Sequence, residues 1–368
     1  MAVNFAQWGN DLYTGRRSYD IVGRRKVWFS ISSVLVVLSA ILLIVPGLQP
    51  GIEFRGGSEF TVSNADTTDQ QPAVDAVATV APEEVPRVTS VGSSSVRIQT
   101  STLTNDQVEQ VRTALEEAYG VSEDDVASSF IGPTWGKDVS QKALTSLVVF
   151  LVLVTLVMTL YFRNWRMAVA ALIALFHDLA ITVGVYAAVG WEVTPATVIG
   201  FLTILGYSIY DTVVVFDKVR ENTDGVLDQS RTTYAERANL AVNQTLVRSI
   251  NTSVVALLPV SAILFIGAFV LGAGTLRDIA LALFVGMIVG AFSSIFLATP
   301  LEVAFRNAEP GIREHTKKVL AARAGRTDVD AAAGDAVGTV DVARLTGQLR
   351  PGTHQGTAAQ PRRKKGRR

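Results

Sequence analysis

The chain has 368 residues, of which 49 % are apolar and only 18 % are charged, and its formal net charge is zero. Its mean hydropathy is positive, and it contains uncharged runs long enough to cross a bilayer. This composition is typical of a multi-pass membrane protein. The chain contains no cysteine, which excludes disulfides, thiolate chemistry and cysteine-bound metals.

Residues 1–26 are basic and precede six predicted membrane spans, each close to the roughly 20 helical residues that cross hydrocarbon. The apolar run of the first span is too long for a secretory leader and has no cleavage site of small residues, so we expect a retained anchor. The spans are predicted at 27–46, 139–162, 167–189, 193–216, 248–271 and 277–300.

Lysine and arginine are concentrated before span one, between spans two and three, and between spans four and five. The short loops on the opposite side, GWEVT and GAGT, contain none. Because positively charged loops tend to remain in the cytoplasm, we expect both termini and the loop 217–247 to be cytoplasmic.

The long loop 47–138 is expected on the extracytoplasmic side as a domain of its own. Its strand-like and helix-like pieces alternate as strand–helix–strand–strand–helix–strand, which suggests a small ferredoxin-like α+β domain. The second helix is expected to begin after Thr104, a favourable N-cap, and to stop at Gly120. A loop of about ninety residues is long enough for a modest core.

The tail 301–368 is rich in small and polar residues, and we expect it to be cytoplasmic and largely disordered. Too few large apolar side chains are present to offset the conformational entropy of the chain. Its end, PRRKKGRR, is strongly basic. Contact with anionic lipid or ribosomal RNA and a solvated, topology-fixing role both remain open for this end.

Motifs for enzyme chemistry are not found in the sequence. GPTWGKD, residues 132–138, has three residues between its glycines where a phosphate-binding loop has four, so it cannot wrap a phosphate in the usual way. No His, Asp and Glu set has metal-ligand spacing, and no Ser-His-Asp set is suggested. We therefore expect no enzyme activity, no catalytic residue, no cofactor and no metal.

Carboxylates occur inside two predicted spans, at Asp178 in span three and Asp211 in span four. An ionised carboxylate in mid-bilayer costs about 2.5–3.5 kcal/mol on insertion scales, so such residues usually face protein or water and usually have a function. On span four, Thr203, Tyr207 and Asp211 recur at every fourth position and form a polar stripe with nearby Ser208.

Two other spans also carry polar faces. Asp178 aligns with Thr182 on span three, and span five begins with Arg248, Asn251 and Thr252. Three helices therefore each present a polar face within the membrane.

Intramembrane acids are often proton relays, so Asp211 is the principal candidate for such a role, with Asp178 and His177 as weaker candidates. Hydrogen bonds or ion pairs that only hold helices together remain an alternative for all three. For Arg248, a basic residue at a helix end also satisfies the positive-inside rule alone.

Small residues suggest where backbones approach closely. Ala282, Gly286 and Gly290 recur every fourth position on span six, which favours packing against a partner subunit or against another helix of this chain. Gly56 and Gly57 follow a strand-like stretch and are expected to mark a bulge or a tight turn.

Four motifs resemble those of the SecF family, subunits of the bacterial SecDF protein-export complex in the resistance-nodulation-division superfamily. They are GIEFRGGSEF, IGPTWGKDV, LGYSIYDTVVVFDKVREN and NQTLVRSINTS, and the resemblance covers residues 12–305. The structural motif positions that it assigns are Gly56, Gly57, Gly132, Pro133, Gly136, Gly206, Tyr207, Asn251 and Thr252.

The chain departs from the family pattern at three positions. Glu53 replaces the more usual Asp in the first motif, Tyr210 stands where Asn is common, and Trp135 widens the Gly-Pro motif. None of these changes removes an ionisable position on which the interpretation depends.

The resemblance implies an auxiliary subunit of the Sec translocon in the bacterial cytoplasmic membrane, which uses the proton gradient to promote late steps of preprotein export. It places the proton-pathway acid at Asp211 and a basic partner at Arg248. The implied partners are a SecD-like subunit, the SecYEG channel, YajC-like and YidC-like proteins, preprotein substrates and, functionally, SecA. Protons are the implied coupling ion, and no nucleic-acid partner is expected.

Two alternatives remain open. A half-transporter of the same superfamily, exporting small or lipidic solutes, would be expected to carry a second large loop, for which GAGT is the only candidate. A passive scaffold of the translocon would retain its function after a charge-neutral substitution at Asp211.

Overall fold

The computed structural model describes residues 5–92, 94–270 and 274–332. Across this part of the chain, six helices are long and apolar enough to cross a membrane, as the sequence predicts. The chain begins with a short helix, α1 (Phe5–Tyr13), and the first of these candidate spans, α2 (Arg25–Ile44).

An α/β domain follows the first span. Its elements are β1 (Gln49–Pro50), α3 (Ile52–Arg55), β2 (Gly57–Val62), α4 (Gln71–Val80), β3 (Arg87–Val91), β4 (Ser95–Thr100), α5 (Asn105–Tyr119) and β5 (Val126–Ile131). The last four strands of this set form an antiparallel sheet in the order β3–β4–β2–β5. Helices α4 and α5 pack on it through a core that includes Phe60, Ile98, Val77 and Leu115.

The ends of α5 agree with the sequence. Thr104 accepts a hydrogen bond from the Gln107 amide, and the Gln107 side chain bonds back to the Thr104 backbone, so two of the unpaired groups at the helix start are satisfied. Gly120 ends the helix in the left-handed conformation. Both predicted ends are confirmed, because the caps are local chemistry.

The rest of the described chain is mainly helical. Its elements are α6 (Pro133–Phe162), α7 (Trp165–Val189), β6 (Glu192–Val193), α8 (Pro195–Thr223), α9 (Tyr234–Ala262), α10 (Gly274–Ser293), α11 (Thr299–Asn307) and α12 (Pro310–Ala332). Two π-helical segments, Ile263–Val270 and Ser294–Ala298, extend α9 and α10. We call the end of the bundle next to the α/β domain the domain end, and the end next to α12 the tail end.

Several helices are longer than the predicted spans. Helix α6 begins at residue 133 where the span was expected from 139, and α9 begins at residue 234 where span five was expected from 248. The predicted loop 217–247 is therefore helical over most of its length. Hydropathy locates the apolar part of a helix, whereas caps such as the Thr233–Glu236 pair locate its end.

Helices α8 and α10 run parallel and pack closely through small residues. A Cβ atom added at Gly286 would lie 2.3 Å from the Ile204 side chain. The contacts follow one another every fourth residue and join Gly200 to Ala282, Ile204 to Gly286 and Ser208 to Gly290. The predicted small-residue face of span six thus packs within the chain, which decides between the two options left open by the sequence.

The α/β domain is attached to the domain end of the bundle by backbone pairing. Strand β1 pairs in parallel with β6, and the Gly51 amide donates to the Val193 carbonyl at 2.8 Å. The Arg87 guanidinium bonds both the Gln49 side chain, at 3.1 Å, and the Gly190 carbonyl, at 3.1 Å. We call this contact region the joint.

At the tail end, residues 18–22 are held by two asparagines of α9. Asn243 Oδ1 accepts from the Tyr19 amide at 2.7 Å, and Asn239 Oδ1 accepts from the Ile21 amide at 2.9 Å. The segment before α2 is thereby fixed to the part of α9 that precedes its predicted span.

The expected disorder of the tail 301–368 is wrong for its first part. The described residues continue as α11 and α12, and Ile312 and Val319 are buried. The His315 imidazole bonds the Gln229 carbonyl at 2.6 Å, and Arg323 forms an ion pair with Glu236. These tertiary contacts add to the helix-forming tendency of its Ala, Leu, Lys and Arg residues. Residues 333–368, with the basic end, lie outside the described residues.

Candidate functional site

Asp211 is a residue of α8. Its side chain lies in the bundle interior and faces α9 and the start of the second π-helical segment. Its carboxylate is bonded by two hydroxyls: Ser249 Oγ donates to Oδ1 at 2.8 Å, and Ser294 Oγ donates to Oδ2 at 2.5 Å. Only 4 % of the residue is exposed. Asp211 stands six residues before Asp217, about 9 Å along the helix axis, which places it inside the candidate span.

Asp178 forms a second buried carboxylate site, on α7. Its Oδ2 atom accepts from Ser208 Oγ at 2.6 Å and from Ser293 Oγ at 2.8 Å, and its Oδ1 atom lies 3.0 Å from His177 Nδ1. The residue is completely buried. The sequence predicted Asp178 and Asp211 as candidates on separate faces, and the structure connects each to the same stretch of α10.

The close approach of α8 and α10 places these groups together. The register that joins Ser208 to Gly290 continues by one turn to Asp211 and Ser294. A Cβ at Gly290 would lie 3.1 Å from the Ser208 Cβ atom and 3.6 Å from Asp178 Oδ2. A side chain at this position would therefore press on Ser208, which bonds Asp178.

His177 has one nitrogen bonded and one free. Its Nε2 atom is buried and has no hydrogen-bond partner among the described residues. Nδ1 faces Asp178, so the ring and the carboxylate form a hydrogen bond. Thr182, which the sequence aligned with Asp178, bonds only the backbone carbonyl of Asp178, at 2.7 Å.

Arg248 does not contact Asp211, contrary to the expected pairing of the two. Within the described part of the chain, its guanidinium has no ion pair or hydrogen bond, and the residue is exposed. It lines a cavity of about 730 Å³ at the tail end, between α1, α8 and α9. The adjacent residue, Ser249, is the one that faces the carboxylate.

The motif residues of spans four and five lie around this cavity and the Asp211 site. Asn251 and Thr252 line the cavity with Arg248, and Thr252 Oγ1 donates to the Arg248 carbonyl at 2.8 Å. Tyr207 donates to Ser253 at 3.4 Å, and a Cβ added at Gly206 would meet no heavy atom within 4 Å.

The glycine motifs of the α/β domain have structural roles. Gly56 ends α3 with φ of 80°, and Gly57 begins β2 with φ of 150°, so the pair makes the expected tight turn. Gly132 caps α6 and Pro133 occupies its first turn. A Cβ at Gly136 would lie 2.6 Å from the Phe54 carbonyl oxygen, so this glycine allows α6 to contact α3.

The joint contains two partly buried carboxyl groups, Glu53 and Glu192. Burial raises the pKa of both above the ordinary value. The negative charge of Glu192 raises the pKa of Glu53 further, and that of Asp278 raises the pKa of Glu192. For Glu192 the Arg87 guanidinium opposes the effect of burial. Glu53 Oε2 and Glu192 Oε1 are buried without a hydrogen-bond partner among the described residues. Both lie within 3.4 Å of the position that a Gly51 Cβ would occupy.

No three His, Asp or Glu side chains converge as metal ligands would within the described residues. The polar site around Asp178 and Asp211 consists of carboxyl, hydroxyl and imidazole groups, each of which can accept or donate a hydrogen bond. The sequence did not single out Ser249, Ser293 and Ser294. A signal was present for Ser294, because it continues the every-fourth-residue pattern of Gly286 and Gly290.

Comparison with known proteins gives matches over most of the chain. The family described as "Protein export membrane protein SecD/SecF, C-terminal" matches residues 110–308, and the "SecD/SecF GG Motif" matches residues 41–63. Protein translocase subunit SecF of Streptomyces coelicolor is 48 % identical over 86 % of this chain and 84 % of its own. SecF of Mycobacterium tuberculosis is 42 % identical over 94 % of this chain and 83 % of its own.

A solved structure also matches. The crystal structure of SecDF from Thermus thermophilus, a translocon-associated membrane protein, superposes with a TM-score of 0.70 at 30 % identity. It covers 79 % of this chain, and this chain covers 39 % of the SecDF chain.

The six spans, the domain inserted after the first of them and the buried carboxylates define a multi-pass membrane protein with an intramembrane polar site. The chain belongs to the SecD/SecF family of protein export membrane proteins, and its near full-length relatives are SecF subunits.

Proposed function

We propose that this chain is an auxiliary subunit of the Sec translocon that uses the proton-motive force, together with a SecD-like subunit, to promote late steps of preprotein export. The observation that carries the proposal is the Asp211 carboxylate, buried within a span and bonded by two serine hydroxyls. A hydroxyl both donates and accepts, so it can serve the carboxylate and the protonated carboxyl alike. A carboxylate fixed by an arginine would lack this freedom.

The proton pathway that we propose includes Asp211, Arg248, Asp178 and His177. Arg248 enters through motion of α9, because it directly precedes Ser249 on that helix. Consecutive residues of a helix are separated by about 100° of rotation. A rotation of α9 by one residue would thus bring the guanidinium to the carboxylate in place of the Ser249 hydroxyl, and would favour release of the proton.

Exposed polar groups on the spans support a partner within the membrane. Thr203, Arg248 and Asn251 are exposed on α8 and α9, where lipid would otherwise meet them. A SecD-like subunit is the partner proposed for this face. The SecYEG channel, YajC-like and YidC-like proteins, preproteins and SecA are the further partners proposed, and no nucleic acid is included.

The proposed orientation places the tail end and both termini in the cytoplasm of a bacterial cell, and the α/β domain on the far side of the cytoplasmic membrane. The distribution of lysine and arginine among the loops supports it. We also propose that the domain is ferredoxin-like, which the strand order β3–β4–β2–β5 supports.

In the proposed mechanism a proton enters the polar seam, neutralises Asp211 and changes the packing of the helices, and the α/β domain moves through the joint. One charge that crosses 100 mV supplies about 2.3 kcal/mol, enough to shift a two-state equilibrium substantially. Protons are the coupling ion, and neither a cofactor nor catalysis is part of the proposal.

The test is gradient-dependent export into inverted vesicles that contain the chain and its SecD-like partner. Asp211→Asn keeps the shape and most hydrogen bonds but cannot titrate, so the stimulation by the proton gradient should be lost while insertion and partner binding remain. Arg248→Met should reduce the same stimulation. Asp224→Asn, which changes an exposed carboxylate at the end of the same helix and away from the cavity, is the matched control. Full stimulation in Asp211→Asn would contradict the proposal and favour a passive scaffold.

A further inference from the structure

Two carboxyl groups on different helices are bonded by consecutive serines of the span-six helix, and we propose that Ser293 and Ser294 make the protonation of Asp178 and Asp211 interdependent. This inference rests on the proposed function, because it takes Asp211 as a proton carrier. It goes further by assigning positioning roles to two residues that no motif singles out, and by treating the two acids as one coupled unit.

The geometry gives each serine a carboxylate of its own. Ser293 Oγ donates to Asp178 Oδ2 at 2.8 Å, and Ser294 Oγ donates to Asp211 Oδ2 at 2.5 Å. Ser208 supplies a second connection, because it bonds Asp178 and stands one turn before Asp211 on α8. All the bonding atoms are buried inside the bundle.

Each serine also has a second acceptor in the backbone. Ser293 Oγ lies 3.2 Å from the Gly290 carbonyl oxygen, and Ser294 Oγ lies 3.2 Å from the Ala291 carbonyl oxygen. A hydroxyl has one hydrogen, so it donates fully to only one of the two acceptors at a time. The choice between them depends on the charge of the carboxyl group.

The hydrogens balance in both states. When the carboxylate is ionised, the serine donates its hydrogen to the negative oxygen, because a charged acceptor forms the stronger bond. When a proton binds, the carboxyl O–H donates to the serine oxygen, and the serine hydrogen turns to the backbone carbonyl. One proton is added to the carboxyl, and no other hydrogen leaves its atom.

The backbone transmits this change from one serine to the other. The two carbonyls that receive the serine hydrogens belong to consecutive residues in the last turn of α10, directly before the π-helical segment Ser294–Ala298. Hydroxyls that bond back to the preceding turn bend helices. A bend caused at Ser293 moves Ser294 relative to Asp211, so protonation of one acid alters the hydrogen bond of the other.

The groups that face these carboxyls come from every helix packed against them. His177 and Ser208 face Asp178 from α7 and α8, and Ser249 faces Asp211 from α9. On α8, Tyr207 stands one turn before Asp211, and the adjacent Tyr210 is exposed. Arg248 faces the cavity instead. The two serines are therefore the side chains through which α10 and its π-helical extension bond both acids.

The experiment is infrared difference spectroscopy of the carboxyl C=O bands during a pH titration, on the full chain purified with its SecD-like partner in nanodiscs. Asp178→Asn and Asp211→Asn assign the two bands. Two groups are strongly coupled when removing the charge of one moves the apparent midpoint of the other by about one pH unit or more. We expect Asp178→Asn to move the Asp211 midpoint by about that amount, and Ser293→Ala with Ser294→Ala to reduce this displacement severalfold.

Three variants complete the design. Ser294→Thr retains the hydroxyl and should restore the coupling that Ser294→Ala reduces. Thr155→Val removes a half-buried hydroxyl of α6 that bonds only the Leu151 backbone carbonyl, and should leave the coupling unchanged. If the double alanine variant does not assemble, Asp178→Asn alone still decides whether the two acids are coupled.

An Asp211 midpoint that is the same in Asp178→Asn as in the unchanged protein would overturn the inference. So would a coupling that persists undiminished without the two serine hydroxyls. These outcomes differ from failure of the proposed function. In that case Asp211→Asn would retain gradient-stimulated export, whatever the spectra show.

Discussion

Ser293 and Ser294 are neighbours in sequence, yet they donate hydrogen bonds to carboxylates of two different helices, Asp178 on α7 and Asp211 on α8. This is possible because α10 packs against both of those helices and because its small residues bring it close to α8. The close packing of α8 and α10 therefore also positions the hydroxyls of the polar site.

The small-residue contact of α8 and α10 predicts the effect of a single methyl group. Gly286→Ala would place a Cβ within 2.7 Å of three atoms of Ile204, so we expect overpacking to cost about 1–3 kcal/mol of stability. Thermal unfolding of the purified complex in detergent measures this change. Gly206→Ala is the matched control on a helix, because nothing lies within 4 Å of its added Cβ.

The double variant Gly286→Ala with Ile204→Ala makes the explanation specific. Shortening Ile204 removes the overlapping atoms, so the added methyl should become less harmful in this background than in the unchanged chain. Equal costs of Gly286→Ala in the two backgrounds would mean that Ile204 is not the opposing side chain.

The α/β domain is predicted to fold without the spans. Residues 47–138 contain the complete sheet, both covering helices and the core around Phe60 and Leu115. An NMR spectrum of the isolated fragment should have the dispersed amide signals of a folded domain. Gly57→Ala should abolish that dispersion, because its Cβ would lie 2.3 Å from the Thr100 carbonyl oxygen. A collapsed spectrum of the unchanged fragment would contradict the prediction.

The joint between domain and bundle is predicted to be more stable at low pH. Burial raises the pKa of Glu53 and Glu192 in the assembled joint. The joint therefore binds protons more tightly than the separated parts, and loses stability as pH rises from the ordinary carboxyl value, about 4.3, through the raised values. Hydrogen exchange of the Gly51 amide, corrected for its intrinsic pH dependence, should reveal less protection as pH rises.

Two variants test the source of this pH dependence. Glu192→Gln removes one charge from the joint, so protection of the Gly51 amide should increase at neutral pH and vary less with pH. Glu117→Gln changes an exposed carboxylate on α5 and should have no effect. Protection that rises with pH in the unchanged protein would refute the assignment.

The exposed polar groups on α8 and α9 predict that the chain needs a partner. Expressed alone, it should aggregate or self-associate in detergent, and co-expression with a SecD-like subunit should yield a stable complex. Asn251→Leu should make the lone chain more stable and weaken retention of the partner. Val255→Leu, at an exposed apolar position of the same helix, should change neither. A stable lone monomer, judged by size-exclusion chromatography, would argue for the scaffold alternative.

The sequence predicted those features that depend on composition or on local chemistry. Hydropathy located six spans, and the caps at Thr104 and Gly120 located a helix. A carboxylate within an apolar run is conspicuous, so the sequence singled out Asp178 and Asp211, and the structure buries both. Their burial follows from the high cost of exposing a charge to lipid.

The remaining features depend on how helices rotate and pack. Arg248 and Ser249 are neighbours, and the sequence alone does not decide which of them faces Asp211. Serines are common in spans, so the sequence alone does not distinguish Ser293 from a serine that bonds only its own helix. Helix α12 was missed because the tail as a whole has few large apolar residues. Its contacts with the loop around Gln229 and with Glu236 depend on the tertiary fold.

The most direct test of the central claim is proton flux through the reconstituted complex. Proteoliposomes that contain the chain with its SecD-like partner, and a pH-sensitive dye inside, would be placed under an imposed pH gradient and membrane potential. We predict a proton influx that Asp211→Asn abolishes and that Asp224→Asn, at an exposed position away from the cavity, leaves unchanged. An influx of equal rate in the Asp211→Asn complex would contradict the claim that this carboxyl group carries protons.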